Sequence, residues 1–376
     1  MTRRRRVAVL FGGRSAEHEI SCISARSVMD ALDAERTEVI PIGITKEGHW
    51  HLLSGPLPLP SESGRMPEVT DGSGQLVELA GEVGSAELVV ADGSREAIDI
   101  VFPVLHGPMG EDGAVQGIME LAGIPYVGAG VTASAVGMDK DMQKALFSRA
   151  GLPVVPYEVV REAEWREDPD GVVARAQTLG YPLFSKPATL GSSVGVVKVH
   201  GPEQLAGGLR EAFRYARKAV MERAVPTPRE VECAVLGNDD PVASVVGEIV
   251  PTGHEFYDYT AKYLDVDGAR LQIPADLKPD VAQRIQRMAV AAFRAIDCAG
   301  MARVDFFVQG DGLDPGDVWL NEINTIPGFT SISMYPKLWE ASGLAYPELI
   351  ERLLDLAVER HEAERSKSTG ARELNS

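Results

Sequence analysis

Strand-like alternation of apolar and polar residues is clearest in two runs late in the chain, at 301–309 and 317–323. Both runs are rich in β-branched and aromatic residues, and a Gly-, Asp- and Pro-rich turn at 310–316 separates them. The pattern predicts two adjacent antiparallel strands that form a hairpin.

The same alternation predicts which side chains of this hairpin lie together. Arg303 and Asp305 are two residues apart, so they share one face of the first strand. Glu322 and Asn324 share one face of the second strand for the same reason. Carboxylate and amide oxygens suit Mg²⁺, which completes its octahedron with water and nucleotide phosphates. An ordinary half-buried hairpin with a solvated polar face would give the same alternation.

Two earlier apolar runs, at 7–11 and 98–105, are typical of buried parallel strands. Each run enters a polar loop, and open α/β sheets bind ligands in the loops at the carboxyl ends of their strands. Glu17 lies in the first loop, where it either caps the next helix or binds a substrate ammonium. His106 begins the second loop, and a histidine that only packs and hydrogen-bonds there is the alternative.

Strands and helices alternate between 154 and 223, which predicts a small α+β unit. Between two of its strands, Lys186 is followed by a Gly- and Ser-rich loop at 187–195. A lysine beside such a loop offers a point charge and flexible N–H donors that suit nucleotide phosphates. The P-loop spacing is missing, and a simple hairpin turn has the same composition.

The order of the predicted strands and helices divides the chain into three domains and a tail. The segment 54–95 is rich in Gly, Pro, Ser and Glu, and we expect an inserted, partly irregular loop there. The predicted domains are 1–131, 132–224 and 225–364, followed by a polar disordered tail at 365–376.

Size and charge narrow the class of protein. The 376 residues are 44% apolar and hold no apolar run near the roughly 18 residues of a membrane span, which predicts a soluble protein. The arginines at 3–6 resemble the start of a signal peptide, but the apolar run after them is too short, so we expect a cytoplasmic location. The net charge of −18 argues against a nucleic-acid partner. The widely spaced Cys22, Cys233 and Cys298 predict buried small side chains and neither a disulfide framework nor a cysteine zinc site.

Seven motifs follow one another along the chain: G-G-R-S-A-E-H-E-I-S (12–21), H-G-P-M-G-E-D-G (106–113), M-D-K (138–140), K-P-A-T-L-G-S-S-V-G (186–195), F-Y-D-Y-T-A-K-Y (256–263), R-V-D (303–305) and N-E-I-N-T-I-P-G-F-T-S-I-S (321–333). In this order they resemble the D-alanine–D-alanine ligase family of the ATP-grasp superfamily, from about residue 7 to 358. The resemblance implies an α/β and α+β architecture, the three-domain ATP-grasp fold with a Rossmann-like N-terminal domain.

The resemblance also implies ATP, held between the second and third domains, and two Mg²⁺ or Mn²⁺ ions. The residues implied for ATP are Lys140, Lys186, Glu222, Glu230 and Lys262. Glu222 falls at the family's adenine hinge, Glu230 at its ribose contact, and Lys262 on a loop that closes over the site. The implied metal ligands are Asp305, Glu322 and Asn324.

Two D-alanine sites follow from the same resemblance. Glu17 would bind the ammonium of the first D-alanine, in a hydrogen-bonded set with Ser192 and Tyr263 that joins all three domains. His106 would lie near the carboxylate of this first substrate.

The remaining implied positions concern the second D-alanine and the oxyanion. Ser333 and Met334 would bind the carboxylate of the second substrate. Arg303 and the backbone N–H of Gly328 would form the oxyanion hole.

The implied activity is ligation of two D-alanines through an acyl phosphate, for peptidoglycan precursor synthesis, by a homodimer. Tyr263 favours a dipeptide product, because the family's D-lactate-accepting ligases lack this tyrosine. Ser185, where an apolar residue is expected, and the long 54–95 segment depart from the family pattern outside the proposed catalytic positions.

Three alternatives stay open at this point. Another carboxylate–amine ligase of the same fold, including a D-alanine–D-lactate ligase, would carry similar motifs. A nucleotide-binding regulatory protein could keep the fold without turnover, because fold does not establish function. A nicotinamide dehydrogenase would use the glycines at 12–13, although the dinucleotide-binding spacing is missing.

Overall fold

A computed structural model describes residues 3–55, 66–79, 87–251, 269–330 and 332–367. Within these ranges the chain forms three β-sheets, of seven, four and five strands, which follow one another along the sequence. We call them the first, second and third sheet.

The first sheet has a parallel centre and an antiparallel extension. Its strands are β1 (Arg5–Gly12), β2 (Thr37–Ile44), β3 (Trp50–Leu52), β4 (Gln75–Leu79), β5 (Glu87–Val90), β6 (Arg95–Ala97) and β7 (Ile100–Pro103), in the order β6-β5-β4-β3-β2-β1-β7. Strand β1 pairs in parallel with β2 and β7, and the pairings from β2 to β6 are antiparallel. The expectation of a partly irregular loop at 54–95 is therefore wrong for β4, β5 and the first residue of β6, which extend the sheet.

Alternation along β1 divides the core around the first sheet. Val7 and Val9 face a cluster that includes α1 (His18–Ala31), whereas Ala8 and Leu10 face a cluster with α2 (Ala114–Ala122). Both faces of the parallel centre are thus covered, as parallel sheets require.

The second sheet lies in the middle of the chain. It consists of β8 (Tyr157–Arg161), β9 (Leu183–Pro187), β10 (Val197–Val199) and β11 (Lys218–Arg223), in the order β10-β9-β11-β8. The helices before and around it are α3 (Val131–Met138), α4 (Lys140–Arg149), α5 (Glu162–Glu167), α6 (Pro169–Leu179) and α7 (Pro202–Phe213). All its described pairings are antiparallel, as in an α+β unit.

The third sheet contains the predicted hairpin. Its strands are β12 (Arg229–Gly237), β13 (Val242–Pro251), β14 (Ala269–Gln272), β15 (Gly300–Val308) and β16 (Val318–Asn324), in the order β14-β13-β12-β15-β16. A 3₁₀ turn (Pro315–Asp317) precedes β16, and the helices are α8 (Pro279–Ala295), α9 (Met334–Ala341) and α10 (Tyr346–Arg365).

The register of this hairpin confirms the predicted pairing. Arg303 of β15 lies opposite Asn324 of β16, and Asp305 lies opposite Glu322. The register shifts directly after Asp305, where the strand bulges. The four predicted side chains therefore occupy two rungs of one sheet, with the rung of Val304 and Ile323 between them.

Helix α10 returns from the third sheet to the first. Its residues Leu349 and Leu353 belong to the same buried cluster as Val7 and Phe102. At its surface, Arg5 Nη1 donates a hydrogen bond of 2.8 Å to Asp355 Oδ1. The last described helix thus helps to cover one face of the first sheet.

Two further expectations concern single features of the chain. The three cysteines are free and buried. No helix within the described residues combines the length and apolar character that crossing a bilayer requires.

Candidate active site

A cavity of about 750 Å³ lies where the three sheets meet, and residues from all three line it. Sixteen positions were predicted as site residues, and Lys262 and Tyr263 lie outside the described residues. The other fourteen all line this cavity: Glu17, His106, Lys140, Lys186, Ser192, Glu222, Glu230, Arg303, Asp305, Glu322, Asn324, Gly328, Ser333 and Met334.

The hairpin of the third sheet supplies a fixed cation beside its carboxylates. Arg303 donates from Nε and Nη2 to the two oxygens of Asp305, at 2.8 and 2.7 Å, and Nε lies 2.9 Å from Glu232 Oε2. Asn324 Nδ2 donates to Asp305 Oδ2 at 3.0 Å. Burial acts to lower the pKa of Arg303, but the charges of Asp305 and Glu232 outweigh it and raise the pKa well above its ordinary value. The guanidinium is therefore charged and held in one orientation.

Lys140 connects the hairpin to the Gly- and Ser-rich loop of the second sheet. It is the first residue of α4, which Asp139 caps by accepting N–H groups of the first turn. Its Nζ lies 3.0 Å from Glu322 Oε2 and donates to Leu190 O at 2.9 Å. Its backbone N–H donates to Ala188 O at 2.8 Å. This lysine is therefore positioned from three sides.

Glu222 lies deep in the cavity between two lysines. Its oxygens lie 2.5 Å from Lys186 Nζ and 2.5 Å from Lys144 Nζ. Burial alone would raise the pKa of Glu222, but the two ammonium groups outweigh burial and lower it to about 2. The carboxylate therefore stays ionised and positions Lys186, which also lies over the ring of Phe184 at 5.7 Å.

Sequence reasoning missed Lys144. It lies four residues after Lys140 on α4, so both side chains project toward the same side of the helix. That spacing was a usable signal, but nothing local indicated that Glu222 would be its partner.

Glu17 comes directly before α1, and its side chain makes no capping hydrogen bond to that helix. Instead, the Ser192 hydroxyl donates a hydrogen bond to Glu17 Oε1. The structure therefore excludes the capping alternative for Glu17. The hydrogen bond joins the first sheet to the loop between β9 and β10.

His106 and Glu111 lie close to Glu17 at the first sheet. His106 Nε2 lies 3.2 Å from Ser24 Oγ, and burial lowers the pKa of this imidazole. Glu111 accepts the N–H of Gly107 at 2.6 Å. Burial, followed by the charge of Glu17, raises the pKa of Glu111 to about 8. Glu111 lies within the quoted 106–113 motif but was not predicted as a site residue.

The segment after β16 forms a second polar corner of the cavity. The Thr330 N–H donates to Ser333 Oγ at 3.0 Å, and the two hydroxyl oxygens lie 2.8 Å apart. A Cβ added to Gly328 would lie 2.8 Å from Ser333 Oγ, so the chain passes close to that hydroxyl. Met334 is the first residue of α9, and the start of a helix favours an anion such as a carboxylate.

The cavity therefore combines three chemical capacities. Lys140, Lys186 and Arg303 can bind phosphate oxygens. Asp305 and Glu322 offer hard oxygen ligands of the kind that Mg²⁺ prefers. The start of α9 offers N–H groups to a carboxylate. These groups are of the kinds that suit an anionic nucleotide and small zwitterionic substrates.

Comparison with known proteins agrees with this geometry. The model of the D-ala D-ala ligase N-terminus matches residues 6–129, and that of the C-terminus matches residues 146–355. The D-alanine–D-alanine ligase of Acetivibrio thermocellus is 49% identical over 370 residues, covering 95% of this chain and 97% of the relative. The corresponding ligase of Deinococcus radiodurans is 49% identical over 357 residues, covering 95% and 99%.

Solved structures give the same result. The chain matches the D-alanine–D-alanine ligase of Coxiella burnetii with a TM-score of 0.83 and 39% identity, covering 96% of each chain. It matches the D-Ala:D-Ser ligase of Enterococcus faecalis with a TM-score of 0.80 and 34% identity, covering 94% of this chain and all of the other. The predicted ATP-grasp fold is confirmed by these likenesses. Because the family models match most of the chain and the relatives match it almost end to end, this protein belongs to the D-alanine–D-alanine ligase family.

Proposed function

We propose that the protein ligates two D-alanines to D-alanyl-D-alanine, with conversion of ATP to ADP and phosphate through an acyl phosphate. The observation that carries the proposal is that all fourteen described candidate residues, drawn from three sheets, line one cavity. A carboxylate is a poor acyl donor, so phosphorylation of the first D-alanine makes attack by the second amine feasible.

Lys140 and Lys186 bind the phosphates of ATP in this proposal. Each ammonium group lies close to a carboxylate, at 3.0 Å for Lys140 and 2.5 Å for Lys186, so both charges are held in place before ATP arrives. Glu230 binds the ribose. Glu222 lies at the adenine end of ATP and positions the lysines beside it. Lys262 adds a third phosphate contact, on the strength of the family motif alone.

Asp305, Glu322 and Asn324 hold two Mg²⁺ or Mn²⁺ ions in the proposal. Their oxygens are of the hard type that these ions prefer. Their positions two residues apart along the hairpin strands fit a shared cluster. Bound Mg²⁺ would supply neutralisation of the phosphate charge. The protein contributes Lys140, which already lies beside Glu322.

The ammonium of the first D-alanine binds at the carboxylate of Glu17, which Ser192 orients. The carboxylate of this substrate lies near His106. The family motif adds Tyr263 to this set. Ser333 and Met334 bind the carboxylate of the second D-alanine at the start of α9. Water exclusion matters here, because water would hydrolyse an acyl phosphate.

The oxyanion formed by attack of the second amine is stabilised by Arg303 and the Gly328 N–H. Arg303 is charged and fixed by two carboxylates, so little reorganisation is needed when the oxyanion develops.

A second candidate activity concerns the second substrate. One solved relative, 34% identical, is a D-Ala:D-Ser ligase, and the family motif makes Tyr263 the residue that selects against D-lactate. D-serine and D-lactate are therefore the competing acceptors, and D-alanine is the acceptor that we propose.

The test is phosphate release from ATP and Mg²⁺ with D-alanine alone, with L-alanine, and with D-alanine plus D-serine or D-lactate, with products identified by mass. D-alanine alone should give the dipeptide, and L-alanine should give no release. Phosphate release only when D-serine or D-lactate is added would show that the protein is a D-alanine–D-serine or D-alanine–D-lactate ligase. ATP binding without release under every condition would favour the regulatory protein.

The cellular setting belongs to the same proposal. We expect a homodimer in the cytoplasm that supplies the dipeptide for peptidoglycan precursors. Light scattering gives the molar mass in solution, and a monomeric mass at assay concentrations would contradict the dimer.

A further inference from the structure

We infer that the first sheet carries a separate binding site for a zinc-like divalent cation, formed by His49, His51 and Asp71. His49 Nδ1 lies 2.9 Å from Asp71 Oδ1, and His51 Nε2 lies 3.3 Å from the same oxygen. Within the described residues, this is the group of three His, Cys, Asp or Glu side chains whose ligand atoms all lie within 4.8 Å of one another. None of the three lines the active-site cavity.

Two hydrogen-bonded turns and strand β3 hold the three ligands. His49 closes the turn between β2 and β3, where Thr45 N donates to His49 O at 2.9 Å and His49 N donates to Thr45 Oγ1 at 3.2 Å. His51 follows two residues later in β3, so both imidazoles lie on one side of the strand. Asp71 lies in a second turn, in which Ser73 N donates to Thr70 O at 2.9 Å.

His51 provides the argument that a cation belongs here. Its side chain is 5% exposed, its Nδ1 lies 3.3 Å from Gly74 O, and its Nε2 faces Asp71. Carbonyl and carboxylate oxygens only accept hydrogen bonds, whereas a neutral imidazole has a single N–H to donate. With Nδ1 held at Gly74 O, Nε2 faces Asp71, and either a proton or a metal ion can link this nitrogen to the carboxylate. With a metal ion in that place, the Gly74 contact orients the ligand as metal-bound histidines usually require.

The separations of the ligand atoms fit a small tetrahedral ion. Zn²⁺ binds imidazole nitrogen at about 2.0–2.1 Å, so neighbouring ligand atoms of a tetrahedron lie about 3.3–3.4 Å apart. The separations from Asp71 Oδ1 are 2.9 Å to His49 and 3.3 Å to His51, and the two imidazole nitrogens lie within 4.8 Å of each other. Asp71 and His49 are 68% and 56% exposed, which leaves room for water as a fourth ligand.

The ligand types also distinguish this site from the active site. Imidazole nitrogens suit Zn²⁺, Ni²⁺, Cu²⁺ and Co²⁺, whereas Mg²⁺ and Mn²⁺ prefer the oxygen ligands of the β15–β16 hairpin. A cation bound at His49, His51 and Asp71 is therefore a structural ion with no part in phosphoryl transfer.

Such an ion would stabilise the segment that supports Glu17, the residue proposed above to bind the first substrate. The turn that holds Asp71 follows Val69, whose N–H donates to His18 Nε2 at 3.0 Å. His18 Nδ1 in turn lies 2.8 Å from Gly13 O, and His18 directly follows Glu17. The cation would tie the segment 66–74 to the β2–β3 turn and so stabilise the support of Glu17.

The experiment measures Zn²⁺ binding to the full chain, freed of metal by a chelator, in buffer with excess Mg²⁺ and no nucleotide. Excess Mg²⁺ occupies the oxygen site, and a chromophoric competitor reports Zn²⁺ affinity. We expect one Zn²⁺ per chain, a higher melting temperature with Zn²⁺, and a Co²⁺ spectrum of tetrahedral type. His49→Ala and Asp71→Asn alter exposed side chains and should each weaken Zn²⁺ binding about tenfold or more.

Matched controls are His200→Ala and Asp92→Asn, which alter exposed residues outside the cluster and should leave Zn²⁺ affinity unchanged. Melting temperatures of the metal-free proteins check that each variant folds. His51→Gln keeps a polar side chain in the buried position and should also weaken Zn²⁺ binding. Equal Zn²⁺ affinity in the wild type and in His49→Ala, or failure of the wild type to retain Zn²⁺ through dialysis, would overturn the inference. Phosphate release by the Zn²⁺-free enzyme supplied with Mg²⁺ is scored separately, so failure of the proposed ligase activity leaves this test intact.

Discussion

Lys144 and Glu222 form an ion pair in the interior, with Nζ 2.5 Å from Oε2 and each side chain only 2% exposed. Lys186 shares the same carboxylate from the cavity side. Replacing Lys144 with Met should leave Glu222 with one buried partner in place of two. Removing one member of a buried ion pair typically costs about 3–5 kcal/mol of the free energy of unfolding, and Lys186 should hold the loss near the lower value.

Urea denaturation of the ligand-free protein measures this loss. The control is Lys278→Met, because Lys278 and Asp311 form a pair of the same type in which both side chains are more than half exposed. Exposed pairs contribute about 0–1 kcal/mol. Equal losses in the two variants would mean that Lys144 does not stabilise the interior through Glu222.

Glu111 should make stability depend on pH in the neutral range. Burial, followed by the charge of Glu17, raises its pKa from 4.5 to about 8, so folding takes up a proton between these values. A carboxyl group with a raised folded-state pKa destabilises the protein progressively as pH rises through that window, by about 1.4 kcal/mol for each unit of pKa difference.

The variant Glu111→Gln mimics the protonated side chain and should remove this dependence. Its free energy of unfolding should exceed that of the wild type by a margin that grows from pH 5 to pH 8 and then levels off. Glu47→Gln, at an exposed position, is the control. A margin that stays constant with pH would show that Glu111 is already ionised at pH 5.

Glu322→Ala tests the proposed metal ligands. The loss of several kcal/mol of transition-state stabilisation corresponds to a decrease of more than about 100-fold in Mg²⁺-dependent phosphate release. The melting temperature should change little, because the side chain lies at the cavity surface beside Lys140. The control is Glu340→Ala on the exposed side of α9. Turnover near the wild-type rate would remove Glu322 from the metal site, and Asp305→Asn is the second variant to measure.

Gly328→Ala should impair binding of the second substrate. The added methyl would lie 2.8 Å from Ser333 Oγ, closer than side chains tolerate, so the hydroxyl must move. We expect the KM for the second D-alanine to rise about tenfold, which corresponds to about 1.4 kcal/mol. Gly117→Ala is the control, because a Cβ there meets nothing within 4 Å. An unchanged KM in Gly328→Ala would place the second substrate elsewhere.

Local alternation was enough to predict the antiparallel hairpin and the shared face of Arg303 and Asp305, because strand periodicity fixes which side chains share a face. It was not enough for β4, whose residues are largely exposed and surrounded by Gly, Ser and Glu. That strand depends on pairing with β3, which is a tertiary contact that no local pattern carries.

The candidate site divides in the same way. The family resemblance predicted Glu222 as a nucleotide-site residue, but its ion pair with Lys144 joins residues 78 positions apart on β11 and α4. Glu111 was passed over because its raised pKa comes from burial and from Glu17, which is distant in sequence. Residue types were therefore predictable, whereas partners and protonation required the three-dimensional arrangement.

The return of α10 to the first sheet bears on how the protein is made. Ribosomes synthesise from the N-terminus, so β1 and β7 emerge well before Leu349 and Leu353, which share their core cluster. Until α10 is complete, Val7 and Phe102 lack part of the apolar surface that covers them in the finished protein. The nascent chain therefore exposes apolar surface of the first sheet through most of its synthesis. During this interval the chain is most prone to aggregation, and a chaperone that covers the surface has its greatest effect.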